Sequence, residues 1–214
     1  MEADMVERWR VLLRSCKVEG THSSFNTRQD VDLLEGEMGI KLPNAYKEFC
    51  EVFGSGLFGG FIAIFCPNSV GSMVDVRNQA GTLGALREQM ILEENQGGVA
   101  WDDETVTKDK AKLVLANAFV FGSNPNAHAF LWDLQSYREP EDSCDIYLVP
   151  TDDVHSMRLV GTDFNEFIKD FCLGAKANEV LPDNLNFHSE LTGNIFFRFP
   201  QDLSSLGTSS LGDL

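Results

Sequence analysis

A proline-led apolar segment constrains the fold more than any other part of this sequence. Leu42 and Pro43 are followed by Tyr46 and Phe49, so apolar residues recur at the spacing of a helix with one buried face. Proline suits the first turn of a helix, because its missing N–H would have no partner there. The segment therefore predicts a helix that opens at Leu42 and Pro43 and buries both aromatic rings.

Glycines follow this helix directly, and a buried strand follows the glycines. Gly56, Gly59 and Gly60 precede the apolar run Phe61–Phe65, which is typical of a strand buried on both faces. A phosphate-binding loop has the reverse order, because its glycines open a helix whose N–H groups face the anion. We therefore interpret these glycines as residues that permit a tight chain reversal or a close approach of the backbone.

The rest of the chain predicts helices and strands in the order of an α+β domain. Helices are predicted from Met5 to Cys16, from Thr27 to Met38, from Gln79 to Glu94, and after a Thr162 cap through Phe164, Phe167 and Phe171. Strands are predicted at Leu113–Phe121, Phe130–Leu134, Ile146–Val149 and Val154–Val160, with a loop at Asn95–Asp109. Short turns between strands imply antiparallel pairing. The expected fold is a largely antiparallel mixed sheet with helices packed mainly on one side.

The pattern of the sequence changes after Gly174. The last residues are rich in serine and glycine, a composition that favours fraying at a chain end. We expect one domain over residues 1–175 and a partly ordered C-terminal extension over residues 176–214. Within that extension, Asn194–Phe199 has the pattern of one strand.

The charge of the chain narrows the class of partner. Lys and Arg number 17 and Asp and Glu number 33, which gives a formal net charge of -16. Such a surface repels the phosphates of nucleic acids and anionic lipid headgroups, and it attracts cationic partners. We therefore expect no nucleic-acid and no membrane partner. The alternative that the acidity only keeps the protein soluble stays open.

Cysteine usage and the N-terminal residues indicate a cytoplasmic protein. The chain has 5 cysteines, an odd number, and no CxxC pair. Most of them lie in apolar patterns typical of buried free thiols, which suit a reducing compartment. The segment Met1–Asp4 is acidic and leads into an amphipathic pattern, unlike a signal peptide. The longest apolar run, Leu57–Cys66, is far shorter than a membrane span.

No arrangement of residues in the sequence predicts catalysis or a cofactor. The 4 histidines show no HExxH or other metal-ligand spacing, and no GxSxG or GxxxxGK[ST] motif occurs. Asp102, Asp103 and Glu104 form the densest acidic cluster. Carboxylates can bind a divalent cation, but contiguous loop residues rarely converge on one point. We expect no metal site, and we interpret this cluster as a solvated or partner-facing loop.

Trp132 and Asp133 adjoin on a predicted strand, so their side chains point to opposite faces of the sheet. This pair favours a core tryptophan beside a solvated carboxylate, because tryptophan is largely buried on average and aspartate is mostly exposed.

Three segments of the chain, taken in order, resemble the SUKH superfamily, which includes bacterial toxin-immunity proteins and a fungal cell-wall regulator. The first is a Leu-Pro helix followed by glycines and a strand, the second is a strand ending in Phe-Gly followed by a Phe-x-Trp-Asp-Leu strand, and the third is a closing Phe-x-x-Phe helix. The matching residues are Leu42, Pro43, Tyr46, Phe49, Gly56, Gly59, Gly60, Gly122, Phe130, Trp132, Asp133, Phe164 and Phe167. The resemblance covers about Met5 to Leu173.

The resemblance implies a non-enzymatic binding role, without cofactor or metal. Immunity proteins of this kind neutralise a cognate protein toxin, often a nuclease with a basic surface, and an acidic inhibitor gains association rate on such a partner. The acidic residues expected to contact the toxin lie in two stretches. They are Asp102, Asp103 and Glu104 in the first, and Glu139, Glu141, Asp142 and Asp145 in the second.

Two other hypotheses remain open. The chain could be an interaction module akin to the fungal regulator, with residues 176–214 as a docking segment. It could also be an enzyme, in which case His128 or Asp133 would be essential for turnover. The sequence does not predict the oligomeric state.

Overall fold

The helices and strands of the protein follow one another from the N-terminal helix to a late strand near residue 195. The computed structural model describes residues 2–20, 28–67, 74–96, 106–181 and 193–199. The helices are α1 (Glu2–Ser15), α2 (Arg28–Met38), α3 (Asn44–Val52), α4 (Ala80–Gln96), α5 (Lys108–Ala116), α6 (Phe164–Glu166) and α7 (Lys176–Val180). The strands are β1 (Lys17–Glu19), β2 (Gly56–Phe58), β3 (Ile62–Ile64), β4 (Ala118–Ser123), β5 (His128–Arg138), β6 (Ser143–Pro150), β7 (Arg158–Gly161) and β8 (Ile195–Arg198).

Three short helical turns complete the described secondary structure. A 3₁₀ turn at Val76–Gln79 leads into α4, and another at Val154–Ser156 lies between β6 and β7. The helix that begins as α6 continues as a π-helical turn over Phe167–Cys172.

The described strands form one eight-stranded sheet in the order β1-β8-β2-β3-β4-β5-β6-β7. The pair β1–β8 is parallel and the other neighbouring pairs are antiparallel. The longest pairing joins β5 and β6, where Ala129 lies opposite Val149 and Asp133 lies opposite Asp145. This architecture confirms the α+β prediction with a largely antiparallel mixed sheet.

Alternate residues of the central strands face two separate hydrophobic clusters. Phe130 and Trp132 of β5 belong to the larger cluster with α1, α2, α3 and α6. Ala129 and Leu131 belong to the smaller cluster, which α4 and α5 cover. The period of two in side-chain direction along a strand explains this division. Most helices therefore lie on one face, and α4 with α5 covers the other.

Aromatic rings join the helices of the larger cluster to the sheet. The ring of Phe164 on α6 lies 5.4 to 5.9 Å, between centroids, from rings of α1, α3, β4 and β5, namely Trp9, Tyr46, Phe49, Phe121 and Trp132. Edge-to-face aromatic pairs add about 0.5–1.5 kcal/mol each beyond the burial of their area. These contacts fix the positions of three helices over the central strands.

The segment from Leu42 to Ile64 folds as α3, β2, a turn and β3, so the predicted helix and the predicted strand are confirmed, and Gly56 lies in β2 and not in the turn. Pro43 occupies the N-cap position of α3, one residue before the first helical turn. Gly54 ends the helix region with φ 71°, and Gly59 and Gly60, with φ 58° and 75°, form the turn between β2 and β3. Such a turn needs positive φ at both central residues, which glycine adopts without steric cost.

Two predicted strands are partly wrong. The first half of Leu113–Phe121 belongs to α5, because this helix runs to Ala116 and only then gives way to β4. The first half of Val154–Val160 is a 3₁₀ turn, and β7 begins at Arg158.

The structure also changes the residue of a predicted helix cap and the limits of a predicted loop. The cap of the last predicted helix is Asp163 and not Thr162, since the Asp163 carboxylate accepts a hydrogen bond from the Glu166 N–H. The predicted loop Asn95–Asp109 is shorter, because α4 extends to Gln96 and α5 starts at Lys108. Residues 97–105 lie outside the described part of the chain.

Strand β8 lies inside the sheet, between β1 and β2. Its backbone pairs in parallel with β1 and in antiparallel with β2, where Phe196 lies opposite Phe58. The Phe196 ring is buried, with its centroid 4.7 Å from that of Phe58 and 5.1 Å from that of Phe53. The division into residues 1–175 and 176–214 stays a prediction.

Two further observations concern membrane-spanning helices and cysteines. Among the residues that the structure describes, no helix has the length and hydrophobicity that crossing a bilayer requires. All 5 cysteines are buried free thiols.

The close approach of β8 to β2 predicts the effect of a single methyl group. A Cβ on Gly56 would lie 2.3 Å from the Phe196 ring and 2.6 Å from the Phe197 carbonyl oxygen. Gly56→Ala is therefore expected to destabilise the protein by about 1–3 kcal/mol, as overpacking does. Urea unfolding followed by circular dichroism measures the change.

Gly84→Ala is the matched control for this substitution. Gly84 lies within α4, and nothing described lies within 4 Å of an added Cβ. The same methyl group should there stabilise the protein by up to about 1 kcal/mol through helix propensity. Equal free energies of unfolding for the two variants would contradict the packing of β8 against β2.

Candidate functional site

The acidic stretch from Glu139 to Asp145 lies in and beside the tight turn between β5 and β6. The last paired residues of these strands are Arg138 and Ser143. Asp142 completes the turn with φ 49°, a left-handed conformation that aspartate adopts more readily than most residues. The turn stands over the N-terminus of α3, so we call Glu139–Ser143, together with Lys41 and Tyr137, the hairpin surface.

Asp142 caps helix α3 from a distant part of the sequence. Its Oδ1 accepts a hydrogen bond from the Asn44 N–H at 2.9 Å, and its Oδ2 accepts one from the Ala45 N–H at 3.0 Å. The first N–H groups of a helix have no partner within the helix, and Pro43 at the N-cap has no side-chain oxygen to offer them. A carboxylate also suits the positive end of the helix dipole. Asp142 thus ties the turn to α3 across 98 residues.

Tyr137 and Lys41 complete the support of this turn. The Tyr137 hydroxyl donates to Asp142 Oδ1 at 3.0 Å. Burial raises the pKa of Tyr137 to about 12, and the hydrogen bond to Asp142 acts in the same direction. The Lys41 ammonium lies 5.1 Å from the centre of the Tyr137 ring and 2.8 Å from Glu139 Oε1. The turn is therefore held by polar contacts on both sides.

The acidic residues of the stretch differ in how much of their charge faces solvent. Asp145 is partly buried and accepts a hydrogen bond from Arg138 at 3.0 Å. Glu139 keeps 80% of its side chain exposed despite its contact with Lys41, and Glu141 is also exposed. Glu139 and Glu141 are therefore the carboxylates of this stretch that present charge outward. The expected contact residues Asp102, Asp103 and Glu104 lie outside the described residues.

A groove of about 430 Å³ adjoins the hairpin surface. It lies between the α2–α3 connection and the junction of α5 with β4 and β5. Its lining residues are Gly39, Ile40, Lys41, Ala116, Asn117, Ala118, Leu134, Gln135 and Tyr137. The groove combines apolar side chains with amide groups, and it shares Lys41 and Tyr137 with the hairpin surface.

A buried lysine near this region pairs with two carboxylates of α2. Lys47 Nζ lies 2.6 Å from Glu35 Oε2 and 2.9 Å from Asp32 Oδ1. Burial alone would lower the pKa of Lys47, but the hydrogen bonds to Glu35 and Asp32 outweigh it and raise the pKa. Glu35 also accepts the Leu42 N–H at 2.6 Å, so this cluster joins α2 to α3.

Asp133 is not solvated, so the interpretation of this residue from the sequence is wrong. It is 2% exposed, and its Oδ2 accepts a hydrogen bond from Lys110 Nζ at 2.7 Å. Lys110 lies on α5, and the second half of this helix has the sequence pattern of a strand. Trp132 is fully buried on the opposite face, as expected. Asp133 therefore joins β5 to α5.

Comparison with known protein families identifies the family of this chain. The chain matches the SMI1 / KNR4 family (SUKH-1) over residues 26–170, which is more than half of its length. The chain belongs to this family. A search of curated proteins and of solved structures finds no significant match.

The residues that carry the SUKH-1 pattern lie mainly in the core. Tyr46 is fully buried and its hydroxyl donates to the Phe65 carbonyl oxygen at 2.7 Å, which joins α3 to the end of β3. A Cβ on Gly122 would lie 2.7 Å from the Ala63 carbonyl oxygen, so this glycine permits close pairing of β3 and β4. These positions build the scaffold, and the hairpin surface is the more exposed part of the site.

The capping role of Asp142 predicts a loss of stability when the carboxylate is removed. Asp142→Gly keeps the left-handed backbone accessible and should cost about 1–2 kcal/mol, the value of a helix cap. Asp142→Ala should cost roughly 1 kcal/mol more, because alanine resists that backbone conformation. Urea unfolding measures both changes.

Glu141→Ala is the control for these substitutions, because Glu141 is an exposed neighbour in the same turn. Its removal should change the free energy of unfolding by less than about 0.5 kcal/mol. If the Asp142→Gly variant were as stable as the original protein, the hydrogen bonds between the Asp142 carboxylate and the first turn of α3 would not stabilise this helix.

Proposed function

We propose that this SUKH-1 protein is a non-enzymatic, cytoplasmic immunity protein that binds and neutralises a cognate toxin domain. The family match over residues 26–170 is the observation that carries this proposal. The toxin is a protein with a basic surface, in many such systems a nuclease. The immunity protein occludes the active site of the toxin and makes no covalent change to it.

The net charge of -16 supports this choice of partner. A nuclease must attract the phosphates of its substrate, so the face that binds substrate is cationic. An acidic inhibitor is steered to the same face and associates faster than a neutral one. Charge complementarity therefore directs the immunity protein to the surface that it has to cover.

The hairpin surface and its groove fit this role best among the described surfaces. Glu139 and Glu141 project from a turn that Asp142 anchors to α3. Because the turn is anchored, its carboxylates lose little conformational entropy on binding. The adjoining groove offers Ile40 and Leu134 for apolar contacts beside the charged rim. Interfaces commonly combine an apolar centre with a polar rim in this way.

A second candidate function is an interaction module akin to the fungal cell-wall regulator. The family name covers such regulators as well, and the segment 176–214 extends beyond the matched residues. A toxin gene beside the gene for this protein favours immunity, and a solitary gene favours the regulatory module.

An enzymatic function has less support. His128 is buried, its Nδ1 lies 3.1 Å from the Asn124 amide nitrogen, and burial lowers its pKa. Asp133 is held by Lys110. Both residues thus have structural partners that account for their positions. The enzymatic hypothesis would be supported if the protein showed catalytic turnover and a single substitution of His128 or Asp133 abolished it.

Charge reversal on the hairpin surface predicts weaker toxin binding. The double variant Glu139→Lys and Glu141→Lys should slow association with the neighbour-encoded toxin domain by about tenfold at low salt. The difference from the original protein should shrink at high salt, since the screening length falls from ~10 Å at 0.1 M to ~3 Å at 1 M. Surface plasmon resonance at several salt concentrations measures the association rates.

Glu88→Lys is the control, because Glu88 is an exposed carboxylate on α4, the helix that covers the other face of the sheet. It changes the net charge in the same sense and should slow association less. A double hairpin variant that binds the toxin as fast as this control would exclude the hairpin surface. No binding of the toxin by the original protein would exclude the immunity function.

A further inference from the structure

A group of side chains with metal-ligating atoms lies at the opposite end of β6 from the hairpin surface. Glu93 on α4, Asp153 before the 3₁₀ turn and His155 within that turn each offer one such atom, and these atoms lie within 4.8 Å of one another. The hairpin turn precedes β6 and the 3₁₀ turn follows it, so the length of β6 separates the two places.

Glu93 is directed toward this group by the packing of α4. Leu86 and Met90, which lie seven and three residues before it, are buried against the sheet, so Glu93 lies on the same helical face. Its side chain is only 10% exposed. Its Oε1 accepts a hydrogen bond from Gln89 at 3.1 Å. The position of this carboxylate is therefore determined by the helix and its buried stripe.

The second oxygen of Glu93 is buried without a hydrogen bond. Oε2 has no hydrogen-bond partner among the described residues, although it lies 2.8 Å from His155 Nε2. The two atoms are close enough for an ion pair but lack the alignment of a hydrogen bond. A buried carboxylate oxygen without a hydrogen bond destabilises the folded protein unless a cation or a hydrogen-bond donor interacts with it.

The turn that carries Asp153 and His155 is fixed by the same core. Val154 and Met157 are fully buried in the smaller hydrophobic cluster. Asp153 accepts a hydrogen bond from the Ser156 hydroxyl at 2.5 Å, and its Oδ1 lies 3.2 Å from His155 Nδ1. The turn and α4 thus bring an imidazole and two carboxylates together on supported backbone.

The donor set and its spacing suit a first-row divalent metal ion. Zinc takes imidazole nitrogen and carboxylate oxygen at about 2.0–2.2 Å, so tetrahedral ligands lie about 3.4 Å apart. Small side-chain rotations would bring atoms within 4.8 Å to that spacing. Imidazole favours zinc over magnesium or calcium, which prefer oxygen ligands alone.

We propose that Glu93, Asp153 and His155 form a zinc-binding site that fastens the β6–β7 connection to α4. One ring nitrogen of His155 and one oxygen of each carboxylate bind the ion, and water completes the tetrahedron. The metal ion would then contact the buried Oε2 of Glu93, which accepts no hydrogen bond from the described residues. This site is independent of the toxin-binding surface, so the failure of either proposal leaves the other standing.

Zinc binding to the full-length chain tests the proposal. Competition against a chromophoric zinc indicator, with excess Mg²⁺ to occupy surface carboxylates, should give one equivalent of bound zinc. His155→Gln and Glu93→Gln should each weaken the zinc affinity by more than the roughly 100-fold that loss of a supporting residue costs. Zinc should also raise the unfolding temperature of the original protein and leave that of both variants unchanged.

His188→Gln is the control, because it removes another of the 4 histidines and should leave the zinc affinity unchanged. Glu93→Gln preserves the size of the side chain and an acceptor for Gln89, so it tests the site even if His155→Gln unfolds. No stoichiometric zinc binding by the original protein would overturn the proposal. Equal zinc affinities for the original protein and the Glu93→Gln variant would overturn it as well.

Discussion

The aromatic layer around Phe164 is the interaction on which the rest of the structure depends. This ring comes from the last third of the chain, yet it contacts rings of α1, α3 and both central strands. These contacts help to hold the helices over the sheet, because short helices gain most of their stability from packing of this kind. The hairpin surface follows from the same layer, since Asp142 caps a helix that these rings have already placed.

The sequence predicted the parts of the fold that depend on local pattern. The helix over Asn44–Val52, the strand after its glycines, and the hairpin of β4 and β5 all have their signals within a few residues. Helix α5 was missed because Leu113, Val114 and Leu115 form a continuous apolar run that is typical of a strand. Of these three residues only Val114 and Leu115 are buried in the helix, and Leu113 is 54% exposed. Strand β1 has its partner in β8, and such distant pairing leaves no local signal.

The sequence showed where acidic residues occur but not which of them have partners. Asp142 and Asp145 use their charge within the protein, whereas Glu139 and Glu141 face outward. The grouping of Glu93 with His155 had no signal, because the two residues come from elements far apart in the sequence. Only Asp153 and His155 are close in sequence, and two such residues are common without a metal. The charge composition therefore indicates a class of partner, and the fold shows which carboxylates have partners within the protein and which face solvent.

The position of β8 has a consequence for the synthesis of the protein. Among the described strands, β1 has only β8 as a neighbour, and β8 is the last of them to leave the ribosome. The nascent chain therefore carries β1 and the outer edge of β2 without partners until residue 198 has emerged. Unpaired strand edges invite association with other chains, and slow pairing of distant segments prolongs that interval. Completion of the sheet must await the synthesis of residue 198, so this edge is open to such association during translation.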